Sequence, residues 1–177
     1  MKAFAVAAWV GLSICAAAQT TPAAPHVLGP VGTLSQTPPP DARLKPSVLL
    51  QKNVQARIDS LLPEAKKRGS VGVTLVDYGT YQIQLSVRAA SGGAEVHAHW
   101  DDVMMVEEGN ATLVTEGRVV DAKTDPNGET HGARIEGGKR QALAEGDMVT
   151  VRAGTPHQIL LAPGTTYGAM VVKIREP

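Results

Sequence analysis

The chain has 177 residues, room for one domain of roughly 100–150 residues with extensions and too few for a two-domain enzyme. Seventeen Lys+Arg balance seventeen Asp+Glu with no long run of either sign, so there is no cationic stripe to neutralise a phosphate backbone, and nucleic acid is not an expected partner. Residues are 43% hydrophobic but only 3% aromatic, so Val, Leu, Ile, Ala and Met must fill the core, and 18 Gly with 12 Pro favour many short strands over long helices.

Met1-Lys2 and the uncharged stretch from Ala3 to Ala18, with Val6, Trp9, Val10, Leu12 and Ile14, read as a secretory signal. The small residues Ala16 and Ala18 place cleavage after Ala18 and the mature chain in the periplasm or outside the cell. The stretch is shorter than the ~20 apolar residues that span a bilayer, so no membrane anchor is expected. Leu12-Ser13-Ile14-Cys15 looks like a lipobox, but the bulky Ile14 argues against lipidation. Cleavage removes the single cysteine, leaving no disulfide, thiolate nucleophile or cysteine metal site.

Residues 19–46 hold seven of the twelve prolines and show no apolar period, the pattern of an extended linker. A helix is expected over 47–69, capped by Ser47, with Leu50, Val54, Ile58 and Leu61 on one face and its decline marked by Pro63 and Gly69. From Ser70 the period becomes two, in Val71-x-Val73-x-Leu75, Ile83-x-Leu85-x-Val87, Val149-x-Val151 and Ile159-x-Leu161. Turn residues, among them Ser91-Gly92-Gly93, Glu108-Gly109-Asn110, Glu145-Gly146-Asp147 and Ala162-Pro163-Gly164, divide the region 70–175 into about nine or ten strands. Short, evenly spaced strands indicate an all-β antiparallel sandwich or barrel of the jelly-roll type. Asn110-Ala111-Thr112 matches a glycosylation acceptor, but its place in a tight turn is explained by turn chemistry.

The chemistry-bearing residues are concentrated in two segments. His97 and His99 are two apart, and residues i and i+2 of a strand share a face, so both imidazoles can point into a barrel. Asp102 adds a carboxylate, with Asp101 as the substitute if the chain bulges differently. His157 opens a strand behind the turn Ala153-Gly154-Thr155-Pro156. Imidazoles with a carboxylate suit a divalent first-row transition metal, such as Mn, Fe, Ni or Zn. His26 stands in the linker and has no neighbours of this kind.

Taken together, His97-Ala98-His99-Trp100-Asp101-Asp102 with Gly109, and Gly146 with Arg152-Ala153-Gly154 and His157, resemble the two motifs of the cupins. The first of these is His-x-His followed by a carboxylate and a glycine; the second is Gly, Pro-x-Gly and His. The resemblance covers about residues 70–175 and implies a small jelly-roll barrel holding a metal through His97, His99, Asp102 and His157. The chain departs from the family pattern in having Asp102 for Glu, at short spacing from His99, Arg152 for Pro and Leu161 for Asn. Gly93 also lies nearer His97 than the family's glycine does. The resemblance further implies pairing of barrels into a homodimer through edge strands.

Residues 119–138 carry Asp121, Lys123, Asp125, Glu129, His131, Arg134 and Glu136 and read as a polar connection, solvated or folded over the barrel mouth as a lid. Glu129 or His131 matters to a metal only in the second case. Alternate members of Met104-Met105-Val106 face inward as an apolar floor. Two functions fit these residues: a metal-dependent enzyme acting on a small polar substrate, of dioxygenase, isomerase, lyase or hydrolase type, and a non-catalytic binder of sugars or other small molecules.

Overall fold

A computed structural model describes residues 49–177. The expectations for the signal sequence, the Pro-rich segment, Cys15, His26 and the Ser47 cap lie outside the described residues. Helix α1 (Gln51–Arg68) is preceded by Leu50 in an extended conformation, whose carbonyl accepts from the N–H groups of Asn53 and Val54 at 2.8 and 3.1 Å. No side chain caps this turn, and the helix runs from Gln51. Pro63 does not end it, because the carbonyl that loses a partner belongs to exposed Asp59 on the outer side. Lys66, Lys67 and Arg68 complement the negative end of the helix dipole. Gly69, at φ 89°, turns the chain out of the helix and donates its N–H to Ala65 O at 2.7 Å.

Thirteen strands follow, all paired antiparallel. One sheet runs β1 (Ser70–Asp77), β2 (Tyr81–Arg88), β13 (Tyr167–Arg175), β4 (Trp100–Gly109), β11 (Met148–Val151). The other runs β10 (Lys139–Leu143), β5 (Ala111–Thr115), β12 (His157–Leu160), β3 (Ala94–His97), β8 (Glu129–Gly132), β7 (Lys123–Thr124). A small third ladder joins β6 (Arg118–Val120) to β9 (Arg134–Glu136). The neighbours are mostly non-consecutive in sequence, as in a jelly roll, and backbone pairing does not close the two large sheets into a barrel. The strand count exceeds nine or ten because β6 to β9 lie in the polar segment 118–136, where no apolar alternation marks them. Within that segment β8 pairs with β3 and brings Glu129 and His131 to the wall of the cavity between the sheets.

Met104, Val106, Val151, Tyr167, Ala169 and Val171 of the first sheet meet Ala111, Leu113, Leu143 and Ile159 of the second in the main core. Met104 and Val106 face inward, while Met105 between them is 40% exposed. A second core lies on the outer face of the first sheet, where Val54, Ile58, Leu61 and Ala65 of α1 cover Leu85 and Val87 of β2, with Val71, Val73 and Leu75 of β1 around them. The apolar rows of β1 and β2 thus serve the helix. Their opposite row, including Gln84, Ser86 and Arg88, faces a cavity of about 510 Å³ between the sheets. Gly109, at φ 78°, ends β4 where any side chain would collide with the carbonyl of Thr166.

Candidate metal centre

Strand register decides which polar side chains meet in the cavity. Glu95 of β3 is directly opposite His157 of β12, and two residues on His97 is opposite Glu129 of β8. Directly paired residues share a face, so Glu95, His97, His157 and Glu129 project together. Asp102 enters from the facing sheet, where it is opposite Lys173 of β13. The two histidine segments are also tied by their backbones, since Gly154 N–H donates to His97 O at 2.8 Å.

Donor atoms of Glu95, His97 and His157 all lie within 4.8 Å of one another. Glu95 Oε2 is 4.0 Å from His97 Nε2 and 3.9 Å from His157 Nε2, and Asp102 Oδ2 is 3.3 and 3.8 Å from the same two nitrogens. A cation held about 2.0–2.2 Å from each donor sets those donors roughly 3–4 Å apart, so Glu95, His97 and His157 fit a first-row divalent ion, with Asp102 beside the two imidazoles. Each imidazole is also fixed by its far nitrogen: His97 Nδ1 bonds the carboxylate of Glu129, and His157 Nδ1–H donates to Thr155 O at 3.1 Å. Both Nε2 atoms are thereby aimed at the centre, the arrangement by which outer partners orient metal-ligating histidines.

The electrostatics agree with that geometry. Burial favours the neutral form of His97, but its hydrogen bonds to Asp102 and Glu129 outweigh burial and raise its pKa to about 9. His157 shifts the other way, held neutral by burial and by the charge of His97. With Nδ1–H donated to Thr155, its Nε2 lone pair faces the site. Burial opposes ionisation of Asp102, yet His97 and Lys173 bring its pKa down to about 2, with Lys173 Nζ at 2.6 Å from Oδ1. Glu95 is likewise held below its ordinary value against burial by Arg88, His157 and His97.

Of the four residues read from the sequence, the structure brings together His97, Asp102 and His157 and leaves His99 outside. Strand β3 ends at His97, and a bend at Ala98–His99 precedes β4, so the i, i+2 rule does not extend to His99, whose side chain is exposed. The pair that does share a face is Glu95 and His97, a Glu-x-His pattern that becomes visible once the end of the strand is known. Asp101 is committed elsewhere: its carboxylate accepts from Ala153 N–H at 2.7 Å and pairs with Arg152 at 3.1 Å. Arg152, in the place of a proline, thus anchors the turn that presents His157.

No family model and no curated protein matches the sequence. Solved structures with a similar chain path include a cupin-2 domain of Rhodospirillum rubrum, 18% identical, covering 62% of this chain and 63% of that one with a TM-score of 0.43. The chain itself is an all-β arrangement of antiparallel sheets with one helix. A DMSP lyase of Ruegeria pomeroyi is 15% identical over 61% of this chain and 48% of its own, with a TM-score of 0.44. A polyketide cyclase of Streptomyces resistomycificus is 20% identical over 62% and 69%, also at 0.44. This likeness is one of chain path alone, and nothing about the reactions of those proteins passes with it. Among the described residues no helix is long and apolar enough to cross a membrane.

Proposed function

We propose that this chain is an exported cupin-type protein that binds one divalent transition metal, of the Mn, Fe, Ni or Zn class, and presents it to a small polar ligand in the cavity. Glu95, His97 and His157 would hold the ion, with Asp102 within reach as a fourth donor. The observation that carries this reading is the orientation of the imidazoles, each held at Nδ1 by a separate acceptor and pointing Nε2 at a common centre with Glu95.

A bound metal supplies Lewis-acid or oxygen-activating chemistry. The protein supplies the rest. Lys173 clasps one oxygen of Asp102 and leaves the other facing the histidines. Met104, Ile159 and Val171 form an apolar wall that limits water around the ligand, and the cavity of about 510 Å³ accommodates a small organic molecule. Three protein donors leave coordination positions open to that space.

The test is metal content. Chelator-treated protein reloaded separately with Mn, Fe, Ni and Zn should retain about one equivalent of at least one of them, and His97→Ala, His157→Ala and Glu95→Ala should each lose most of the affinity. Far less than one equivalent with every metal, or parent affinity in His157→Ala, rejects the site. Product analysis of metal-loaded protein with candidate ligands then separates turnover from binding alone.

A further inference from the structure

Among the described residues, the large apolar side chains that stand exposed are Leu49, Leu50, Tyr81, Met105, Met148 and Ile174. They belong to one region. Tyr81 is directly opposite Ile174, and Met105 is directly opposite Met148 on one side and Met170, which packs with the α1 core, on the other. Cross-strand partners share a face, so these side chains stand on the outer face of the first sheet, where α1 covers Leu85 and Val87 and leaves Tyr81 and Ile174 open. Half-buried Ile83, Val172 and Val103, opposite one another in turn, fill the space between the exposed pairs. Leu49 and Leu50 lead into α1, whose first turn is fastened to β4 by Gln51 Nε2 donating to Glu107 at 2.8 Å, two residues along the strand from Met105. Apolar residues scattered singly need no partner, whereas a contiguous patch marks a docking surface.

We propose that the occupant of this face is the chain's own segment 38–48, laid in an extended conformation from Leu49 toward Tyr81. The pattern of the segment fits. Over the last residues before Leu49, Ala42, Leu44, Pro46 and Val48 alternate with Arg43, Lys45 and Ser47, so an extended backbone turns its apolar row to the sheet and its charged row to water. Ahead of them Pro38-Pro39-Pro40 favours the polyproline conformation, which docks on aromatic side chains with little further loss of entropy. Such a seat exists at the far end of the face, where the rings of Tyr78 and Tyr81 lie 4.9 Å apart at the β1–β2 turn. The lengths agree as well. Glu107 to Asp101 is six residues of β4, about 20 Å, and Tyr81 lies two strands across from Asp101, about 10 Å, which makes a diagonal of about 22 Å. Pro40 precedes Gln51 by eleven residues, about 34 Å of chain even at the short polyproline rise. The segment thus reaches the tyrosines with slack to follow the twist of the sheet. Its tether holds it at an effective concentration of about 1 mM, which favours it over a second copy or a partner present at micromolar concentration.

Hydroxyl-radical footprinting of the full chain, read by mass spectrometry, tests the proposal. The double variant Leu44→Asp, Val48→Asp should modify Met105 up to about eightfold faster than the parent, the ratio of its 40% exposure on the bare face to the 5% of buried Met104, which stays slow in both proteins. Pro38→Ser, Pro39→Ser and Pro40→Ser together should speed modification of Tyr81 severalfold while leaving Met105 partly protected. All of these changes lie outside the described fold, and metal content and far-UV circular dichroism should match the parent. Protection that the variants lose and that dilution leaves unchanged upholds the proposal. Equal rates at Met105 and Tyr81 in the parent and in every variant overturn it. Protection that weakens on dilution, together with a sedimentation mass that halves, places a second copy on the face and overturns it equally.

Discussion

Replacing Glu129 tests whether the geometry around His97 exists to hold a metal. Glu129 would not be a ligand; it accepts from Nδ1 and so fixes the ring with Nε2 toward the centre. Removing an outer partner of this kind lowers metal affinity about 10–100-fold, which corresponds to about 1.4–2.8 kcal/mol. Its side chain is 25% exposed, so water can partly replace it, and Gln at this position still offers a carbonyl oxygen to Nδ1–H. Glu129→Gln should therefore fall near the lower end, about tenfold, and Glu129→Ala nearer the upper. Competition titration against a chromophoric chelator gives the affinities, and far-UV circular dichroism confirms that the β structure persists. His99→Ala, which alters an exposed ring beyond the end of β3, should stay within about twofold of the parent under the same assay. Parent affinity in Glu129→Ala, or a large loss in His99→Ala, refutes the reasoning.

Ile58→Ala removes the most buried large side chain of α1 and should cost about 2–5 kcal/mol in urea unfolding with metal stoichiometry unchanged; a loss under 1 kcal/mol would mean the helix is not packed as described. In chelator-treated protein the pKa of His97 is raised from 6.5 to about 9, so its stabilisation is fully present below pH 6.5 and is lost as pH rises through 9. The urea midpoint should fall across that window, and less so in Glu129→Gln; a flat or rising midpoint contradicts it. Mass spectrometry of protein from the cell envelope should find the N-terminus at Gln19, whereas a retained Met1 or a lipid on Cys15 excludes the proposed export route.

The sequence by itself determined the class of fold, because alternation of apolar residues and turn chemistry are local and survive without knowledge of neighbours. It marked α1 through the spacing of Val54, Ile58 and Leu61, and it marked His97, Asp102 and His157 as a group through their two motifs. It did not determine which side of β1 and β2 is inner. Alternation gives two faces but no direction, and only the packing of α1 showed that Leu85 and Val87 serve the helix while Arg88 turns to the cavity. The end of β3 at His97 was equally hidden, since a bend at Ala98–His99 depends on how β3 and β4 join different sheets. That one residue moves the shared face from His97 and His99 to Glu95 and His97. Glu129 lies 32 residues from His97, so its place opposite that ring follows from the pairing of β8 with β3, a contact between distant segments that no local pattern encodes.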